Sequence, residues 1–268
     1  MTLEGRVALI TGGAAGLGRA EALALAERGA DIAVVDLGAH GKDVEPGYAL
    51  AGESQLDETA RDIEALGRRS IAVQADVRRQ EDLDRAVART IEELGGLHIL
   101  VATAGICFMG KSWEMSRSEW DLQLETNLTG VWQSCKAVVP HMIGQRYGRI
   151  ILKSSTVGLK PWKDLAGYSA TKAGVIALGR SLALEVGEHN ITVNSICPGT
   201  IPSGTNRGVA ARHDLNYDEF LQNLTAAQVI KEIMEPSDVG NAVAYLASDE
   251  ARYITGIAWP VDAGWTIM

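Results

Sequence analysis

Arg6-Val-Ala-Leu-Ile-Thr11 runs directly into Gly12-Gly-Ala-Ala-Gly16-Leu-Gly18, and this junction decides the fold of the 268-residue chain. The apolar run is typical of a strand buried on both faces. The glycines permit a tight turn and a close approach of the backbone to a pyrophosphate, whose negative charge the N-terminus of the next helix favours. An Ala-, Leu- and Glu-rich helix follows and ends near Gly29. The stretch therefore predicts a strand, a phosphate-binding turn and a helix.

A second buried strand at residues 32–35 is closed by Asp36, which lies 18 positions after Gly18. A carboxylate at this position can accept hydrogen bonds from an adenosine ribose, and it would repel a 2′-phosphate. A plain helix-entry turn with a solvated Asp36 is the alternative. Because strand, turn, helix and acid follow in register, the sequence favours a nucleotide site that takes NAD rather than NADP.

Strands and helices alternate along the rest of the chain. Further strands are predicted at residues 70–74, 98–101, 148–153, 191–196 and 257–261. Helices are predicted from an N-cap at Ser54 to residue 66, over residues 81–94, from a cap at Ser118 to about residue 143, over residues 167–187, and from Pro236. Such alternation predicts a doubly wound parallel sheet of about seven strands with helices on both faces. No linker divides the chain, so we expect one α/β domain over residues 1–268.

Two segments interrupt the alternation. Residues 37–53 are rich in glycine and polar residues and show no period, and loops of this length are uncommon in compact domains and often functional. This insertion leaves directly from Asp36, so it either folds over the adenosine end of the cofactor or is a disordered surface insertion. Residues 200–235 mix polar and apolar side chains and are expected to form a mobile lid over a substrate.

Tyr168 and Lys172 would lie one turn apart on one face of the helix predicted at residues 167–187. An ammonium near a phenol favours the phenolate, so the tyrosine can exchange a proton near neutral pH. The spacing also arises by chance, and Ser155 could merely satisfy the backbone at the end of a strand. Ligands of parallel sheets, however, bind beyond the carboxyl ends of the strands. Residues at those ends are Gly12, Asp36, Asp76, Gly105, Ser155 and Pro198.

Composition and charge exclude several classes of partner. The chain is 46% hydrophobic and 22% charged, with a net charge of −9 and no cluster of basic residues. This balance argues against nucleic acid and against an anionic membrane surface, and no apolar run is long enough to span a bilayer. Cys107, Cys135 and Cys197 lie far apart without metal-ligand spacing, so we expect free thiols, no metal site and a cytoplasmic protein.

Further motifs extend the pattern to the whole chain. They are Thr11-Gly12-x-x-x-Gly16-x-Gly18, Asp76-Val77, Asn127, Ser155, Tyr168-x-x-x-Lys172 and Pro198-Gly199. Together they resemble the short-chain dehydrogenase/reductase family, and the resemblance implies a Rossmann-type fold that binds a nicotinamide cofactor. It implies that Tyr168 is the acid/base and that Ser155 hydrogen-bonds the substrate oxygen. Lys172 would hold the nicotinamide ribose and tune Tyr168, and Asn127 would support a proton-relay water.

The same resemblance implies a set of cofactor contacts. Leu17 would offer its backbone to the pyrophosphate, Asp76 and Val77 would contact adenine, and Ile201 and Ser203 would meet the nicotinamide carboxamide. The full set is Gly12, Ala15, Gly16, Leu17, Gly18, Asp36, Leu37, Asp76, Val77, Thr103, Gly105, Tyr168, Lys172, Pro198, Ile201 and Ser203. Two motifs depart from the family pattern: Ala102-Thr-Ala-Gly105 stands where Asn-Asn-Ala-Gly is usual, and Ser203 stands where threonine is usual.

Several stretches resemble the subgroup of carveol dehydrogenases and mycofactocin-associated enzymes. They are Tyr48-Ala-Leu-Ala51, Leu56-x-Glu58-Thr59, Gly130-Val-Trp132, Lys136-Ala-Val-Val-Pro-His-Met142 and Ser154-Ser-Thr-Val-Gly-Leu159. This resemblance implies an insertion that covers a tightly held NAD, whereas Pro198-Gly-Thr-Ile-Pro-Ser203 is similar to ordinary family members. The family also implies a homotetramer in which helices around residues 112–144 and 167–188 pair between subunits.

The expected reaction is the NAD-dependent interconversion of a secondary alcohol and a ketone. Apolar residues that could line the substrate pocket suggest a small cyclic, terpenoid-like substrate, although such residues are more often part of a core or an interface. They are Phe108, Met109, Val157, Trp162, Tyr217 and Phe220. A β-ketoacyl carrier-protein reductase is a rival that Asp36 and the net charge oppose. Dehydrogenases of sugars, steroids or diols and a non-catalytic nucleotide-sensing scaffold also stay open.

Overall fold

A computed structural model describes residues 1–38, 46 and 49–268 of the chain. These residues form a seven-stranded, wholly parallel sheet in the order β3-β2-β1-β4-β5-β6-β7. The strands are β1 Val7–Thr11, β2 Asp31–Asp36, β3 Ser70–Gln74, β4 Ile99–Ala102, β5 Gly148–Lys153, β6 Ile191–Pro198 and β7 Ala258–Val261. The predicted fold, a single-domain doubly wound sheet, is confirmed.

The α-helices connect successive strands and cover both faces of the sheet. In chain order they are α1 Gly16–Ala26, α2 Glu53–Ala65, α3 Gln80–Leu94, α4 Arg117–Leu124, α5 Gly130–Gln145, α6 Ala166–Val186, α7 Gly204–Arg212, α8 Tyr217–Ala226 and α9 Pro236–Ala247. Apolar side chains of α1, α2 and α9 pack on one face of the sheet, and those of α3, α5 and α6 pack on the other. Two cores therefore hold the sheet between them, which explains why its inner strands are apolar on both faces.

The strand order reverses between β1 and β4. From β1 the chain proceeds outward to β2 and β3, and it then returns to place β4 on the other side of β1. Thr11, the last residue of β1, pairs with Val35 of β2 and with Ala102 of β4. Loops leave in opposite directions at this point and open a crevice beyond the carboxyl ends of the strands, where open α/β sheets bind ligands.

Two predicted helix caps were wrong. The helix predicted to start at Ser118 is capped by Ser116. The Ser116 hydroxyl accepts a hydrogen bond from the Glu119 backbone N–H (3.2 Å), and the Glu119 carboxylate accepts one from the Ser116 backbone N–H (2.9 Å). This reciprocal capping box places the start two residues earlier. The helix predicted to start at Ser54 is capped by Gly52, whose N–H donates to the Gln55 side chain (3.0 Å).

The long helix predicted through Asn127 is not uniform. A π-helical segment, Glu125–Thr129, separates α4 from α5. Such a bulge inserts an extra residue into the helix and is frequent at functional sites. Other boundaries differ by one or two residues; β4 ends at Ala102, and β6 extends to Pro198.

The two irregular segments differ in how much of each is described. The segment predicted as a lid contains the helices α7 and α8, and its mobility stays a prediction. The prediction for the insertion at residues 37–53 falls largely on residues 39–45, 47 and 48, which lie outside the described residues. Leu37 at its start and Leu50 and Ala51 near its end line a cavity at the carboxyl ends of the strands.

Candidate active site

A cavity of about 400 Å³ lies along the carboxyl ends of the strands. Asp36 and Asp76 line it at the β2 and β3 side, and Ser155 and Tyr168 line it at the β5 and α6 side. One continuous cleft thus joins the predicted nucleotide-binding residues to the predicted catalytic ones. The site residues predicted from the sequence that line this cleft are Gly12, Ala15, Leu17, Asp36, Leu37, Asp76, Val77, Thr103, Gly105, Ser155, Tyr168, Lys172, Pro198, Ile201 and Ser203.

The turn between β1 and α1 has the shape that a phosphate requires. Gly12 and Gly16 adopt left-handed φ angles of 71° and 56°, which favour glycine. A Cβ on Gly18 would lie 2.1 Å from the Gly12 carbonyl oxygen, so the third glycine allows the helix to approach the turn. Gly16 and Gly18 do not line the cavity themselves. The turn leaves the N-terminus of α1 directed at the cleft, where its partial positive charge favours an anion.

Asp36 ends β2, and its carboxylate is hydrogen-bonded to the glycine turn between β1 and α1. One carboxylate oxygen accepts the Ala14 backbone N–H (3.0 Å) and the other accepts the Leu37 N–H (2.7 Å). Burial raises the pKa of this carboxyl above its usual range, and these two hydrogen bonds oppose the rise. A carboxylate has about four acceptor positions, so acceptor sites remain for two ribose hydroxyls. The cradle of glycine turn, helix N-terminus and acceptor carboxylate fits a dinucleotide without a 2′-phosphate.

Asp76 follows the end of the neighbouring strand β3, and its carboxylate forms an ion pair with Arg78. Its carboxylate accepts from the Arg78 backbone N–H (2.9 Å) and from the Arg78 guanidinium (2.6 Å for the closest contact). Both residues line the cleft, and Val77 lies between them. Arg78, which the sequence motifs did not predict, thus lines the cleft beside the two residues predicted to contact adenine.

Lys172 is the most buried charge-bearing group at the catalytic end. It lies on α6 one turn after Tyr168, and its Nζ atom is 5.5 Å from the centroid of the Tyr168 ring. Nζ donates a hydrogen bond to the main-chain oxygen of Lys153 (2.9 Å). Burial, together with the charge of Lys153, lowers the pKa of Lys172 to about 8. The predicted pairing of phenol and ammonium on one helical face is present.

Asn127 lies in the π-helical segment and does not line the cleft. Its side-chain oxygen accepts the Ile106 N–H (2.8 Å), while its amide donates to the Ile106 carbonyl (2.8 Å) and to the Thr171 hydroxyl (3.3 Å). It therefore ties the loop after β4 to α6. A Cβ on Gly105 would lie 3.2 Å from the Asn127 oxygen and 3.5 Å from the Lys172 Nζ, so this loop passes close to both side chains.

The two serines that follow β5 have different partners. The Ser154 hydroxyl donates to the main-chain oxygen of Lys172 (2.8 Å) within the core. The Ser155 hydroxyl oxygen accepts a long hydrogen bond from the Val157 N–H (3.4 Å) at the start of a short 3₁₀ turn. Its hydroxyl proton can still be donated toward the cleft.

The substrate end of the cleft is apolar. Phe108 and Tyr217, predicted as pocket walls, do not line it; Phe108 is buried in the core. Trp265 was not predicted because it lies nearly a hundred residues after Tyr168, yet its ring contacts that of Trp162 in a tilted arrangement with the centroids 5.4 Å apart. The apolar lining residues at this end are Met109, Val157, Trp162, Leu165, Val209, Phe220, Leu224 and Trp265.

Ser203 and Thr103 line the cleft, but their side chains also have internal partners. The Ser203 hydroxyl caps α7 by accepting the Asn206 N–H (3.1 Å). The Thr103 hydroxyl donates to the buried Glu21 carboxylate. Any contact of Thr103 with a nucleotide is therefore expected to use its backbone.

Comparison with known proteins places this geometry in a family. A family model described as enoyl-(acyl carrier protein) reductase matches residues 12–266. The chain is 43% identical over 275 residues to a (−)-trans-carveol dehydrogenase of Rhodococcus erythropolis, covering 99% of each. The chain belongs to the short-chain dehydrogenase/reductase family. The resemblance stated from the motifs is confirmed.

Two solved structures agree with this short-chain dehydrogenase along its whole length. A carveol dehydrogenase from Mycobacterium avium in complex with NAD superposes with a TM-score of 0.92 at 36% identity, covering 99% of both chains. A short-chain dehydrogenase from Mycobacterium paratuberculosis bound to NAD gives a TM-score of 0.91 at 34% identity, covering 100% of both.

The described part of the chain has neither a metal-binding cluster nor a membrane-spanning helix. Within it, no group of three or more His, Cys, Asp or Glu side chains could hold a metal ion. None of its helices combines the length and the apolar character that crossing a bilayer requires. Cys107, Cys135 and Cys197 are buried and form no disulfide.

Proposed function

We propose that this protein is an NAD-dependent dehydrogenase that oxidises a small, apolar, cyclic secondary alcohol and reduces the corresponding ketone. The observation that carries the proposal is the position of Lys172: a buried ammonium 5.5 Å from the Tyr168 ring, in the wall of a cleft whose other end holds Asp36. The similarity to a carveol dehydrogenase and to NAD-bound structures supports the same reading.

The chain's own residues supply proton transfer and orientation. With the alcohol oxygen at hydrogen-bond distance, about 2.6–3.2 Å, from both hydroxyls, Ser155 orients the oxygen and Tyr168 accepts its proton. The Lys172 cation favours the phenolate that this step requires. NAD, when bound, supplies the hydride acceptor. In the reverse direction the two hydroxyls donate to the oxygen on which negative charge develops.

Cofactor choice follows from the charge at the end of β2. Asp36 offers acceptor positions to ribose hydroxyls but presents a buried negative charge to a 2′-phosphate. Leu37, Leu50 and Ala51 line the same cleft as Asp36. We therefore propose that the insertion after Asp36 shields the adenosine of a tightly held NAD, as the resemblance to the mycofactocin-associated subgroup implies.

The proposed class of substrate rests on the apolar end of the cleft, beside Ser155 and Tyr168. The wall of tryptophans, leucines, valines, methionine and phenylalanine offers few polar partners, so a polyhydroxylated sugar would lose hydrogen bonds to water there without replacing them. A cyclic terpenoid alcohol of the carveol type has one hydroxyl for Ser155 and Tyr168 and an apolar ring for the walls.

Assembly is proposed from exposed apolar residues on the helices that follow β4 and β5. The side chains of Leu184 on α6 and Trp132 on α5 are 88% and 48% exposed, and exposed apolar patches mark interaction sites. We propose that these helices pair between subunits in a homotetramer of a cytoplasmic enzyme. Light scattering coupled to size-exclusion chromatography tests the assembly; a monomer would contradict it.

The function is tested by following NADH formation with a panel of secondary alcohols. The panel contains a cyclic terpenoid alcohol, a linear alcohol, a polyol and a sugar, each with NAD or NADP, and a β-ketoacyl thioester is tested in the reductive direction with NADPH. The proposal predicts the highest kcat/KM for the cyclic terpenoid alcohol with NAD. Preference for the polyol would overturn the substrate class, and preference for the thioester with NADPH would favour a carrier-protein reductase.

A further inference from the structure

A charged pair is buried behind the catalytic lysine. Glu21 on α1 is fully buried, and the Lys153 side chain at the end of β5 is 5% exposed; the two form an ion pair. Removing two such charges from water is costly unless good geometry and further hydrogen bonds compensate. Glu21 accepts a further hydrogen bond from the Thr103 hydroxyl. Neither Glu21 nor Lys153 takes part in the proton transfer described above.

The pair connects to Lys172 through the backbone. Lys172 Nζ donates to the main-chain oxygen of Lys153 itself (2.9 Å). That oxygen is held by the sheet, since the Ser154 N–H that follows it donates to Ile196 of β6 (2.8 Å). The carbonyl would therefore keep its place without the Lys153 side chain. What the side chain adds is a second positive charge.

Few titratable groups face the Lys172 ammonium in the described structure. They are Tyr168 on its own helix, Lys153 on β5, Cys197 on β6 and Cys107 in the loop after β4. Burial raises the pKa of the Cys107 thiol to about 12 and that of Cys197 to about 11, so both thiols are neutral in the physiological range. Glu21, the counter-ion of Lys153, lies behind it on α1. Among the described residues, Lys153 is then the neighbour whose positive charge opposes that of Lys172.

We propose that Glu21 and Lys153 are positioning residues for the catalytic pair: Glu21 holds the Lys153 side chain in a buried ion pair, and this places a second cation on the residue whose main-chain oxygen binds the Lys172 ammonium. The inference rests on the proposed role of Lys172. Like charges oppose each other's protonation, and Lys153 acts in the same direction as burial on the pKa of Lys172. The pair thereby sets the alkaline limit of activity.

The test titrates Lys172 in the cofactor-free enzyme by NMR. Lysine is labelled with ¹³C at Cε, and the Lys172 resonance is assigned by its absence in Lys172→Met. Lys153→Gln removes the cation and keeps a donor for Glu21, the double variant Glu21→Gln/Lys153→Met removes both charges, and Lys153→Arg keeps the charge. Arg149→Met is the matched control, because Arg149 is a buried cation on the same strand, ion-paired to Asp249.

Removing the Lys153 charge is expected to move the Lys172 midpoint upward by about 0.5 pH unit or more, the scale on which a neighbouring charge acts. Lys153→Arg and Arg149→Met should titrate like the wild type, and the alkaline limb of kcat/KM should follow the same order. If Lys153→Gln or the double variant leaves the midpoint unchanged, or if Arg149→Met shifts it equally, the proposal is wrong.

The titration needs neither substrate nor cofactor. It therefore gives its answer even if the enzyme oxidises no alcohol, a result that would overturn the proposed function instead. Should the double variant fail to fold, Lys153→Gln, which leaves Glu21 with a hydrogen-bond donor, gives the decisive comparison with Lys153→Arg.

Discussion

Replacing Lys172 by methionine should stabilise the protein at neutral pH while it destroys activity. The Lys172 pKa falls from 10.5 to about 8 in the folded state, and each pKa unit corresponds to about 1.4 kcal/mol. Below pH 8 the lysine is charged in both states, so its burial costs the folded state about 3 kcal/mol relative to a neutral side chain. The lost hydrogen bond to Lys153 is worth about 1 kcal/mol. The net gain for Lys172→Met at pH 7 is thus about 2 kcal/mol.

The pH dependence distinguishes this cause from ordinary repacking. The folded-state pKa lies below the unfolded-state value, so the penalty is full below pH 8 and disappears as pH rises toward 10.5. About 2.5 kcal/mol of it is lost between pH 7 and pH 10, and the advantage of the variant should then vanish. Urea unfolding at both pH values, at one protein concentration, measures the difference.

Lys163→Met provides the matched control, because Lys163 is exposed in a loop. Its effect on the free energy of unfolding should be the same at pH 7 and pH 10. If the difference between wild type and Lys172→Met also stays constant, Lys172 is not the desolvated cation that the structure describes, and the account of the catalytic pair loses its physical basis.

Three further substitutions test the cleft from one end to the other. Asp36→Ser should lower the NAD-to-NADP ratio of kcat/KM by about tenfold or more, equivalent to about 1.4 kcal/mol, because it removes the charge that opposes a 2′-phosphate. An unchanged ratio would refute the role of Asp36. Gly18→Ala should weaken NAD binding and cost about 1–3 kcal/mol of stability, because the new Cβ would lie 2.1 Å from the Gly12 oxygen. Calorimetric titration measures the binding, and a wild-type affinity for NAD would contradict the geometry of the turn. Phe220→Ala should raise KM for a cyclic terpenoid alcohol but not for a short linear alcohol, and equal effects on both would speak against a pocket wall at α8.

The sequence predicted those features that depend on neighbours along the chain. Buried parallel strands are continuous apolar runs, and the glycines after β1 and the acid after β2 mark where two of them end, so the fold and the nucleotide end of the cleft could be read directly. Tyr168 and Lys172 are four residues apart on one helix, and their proximity follows from helical geometry.

Features that depend on distant partners could not be predicted in this way. Glu21 and Lys153 meet only because β1, β4 and β5 are adjacent in the sheet, although a glutamate within an Ala/Leu-rich helix and a lysine ending a buried strand were visible signals. The cap at Ser116 was missed because two serines compete within three residues, and only Ser116 has a glutamate three positions later to complete the capping box.

The central claim, that Tyr168 exchanges the proton of the substrate in an NAD-bound cleft, is tested most directly by the turnover and NAD affinity of Tyr168→Phe. The account predicts that kcat falls by about 10²–10⁴, the usual contribution of a positioned acid or base, while the dissociation constant of NAD stays at the wild-type value. Activity within about tenfold of wild type, or loss of NAD binding together with turnover, would contradict it.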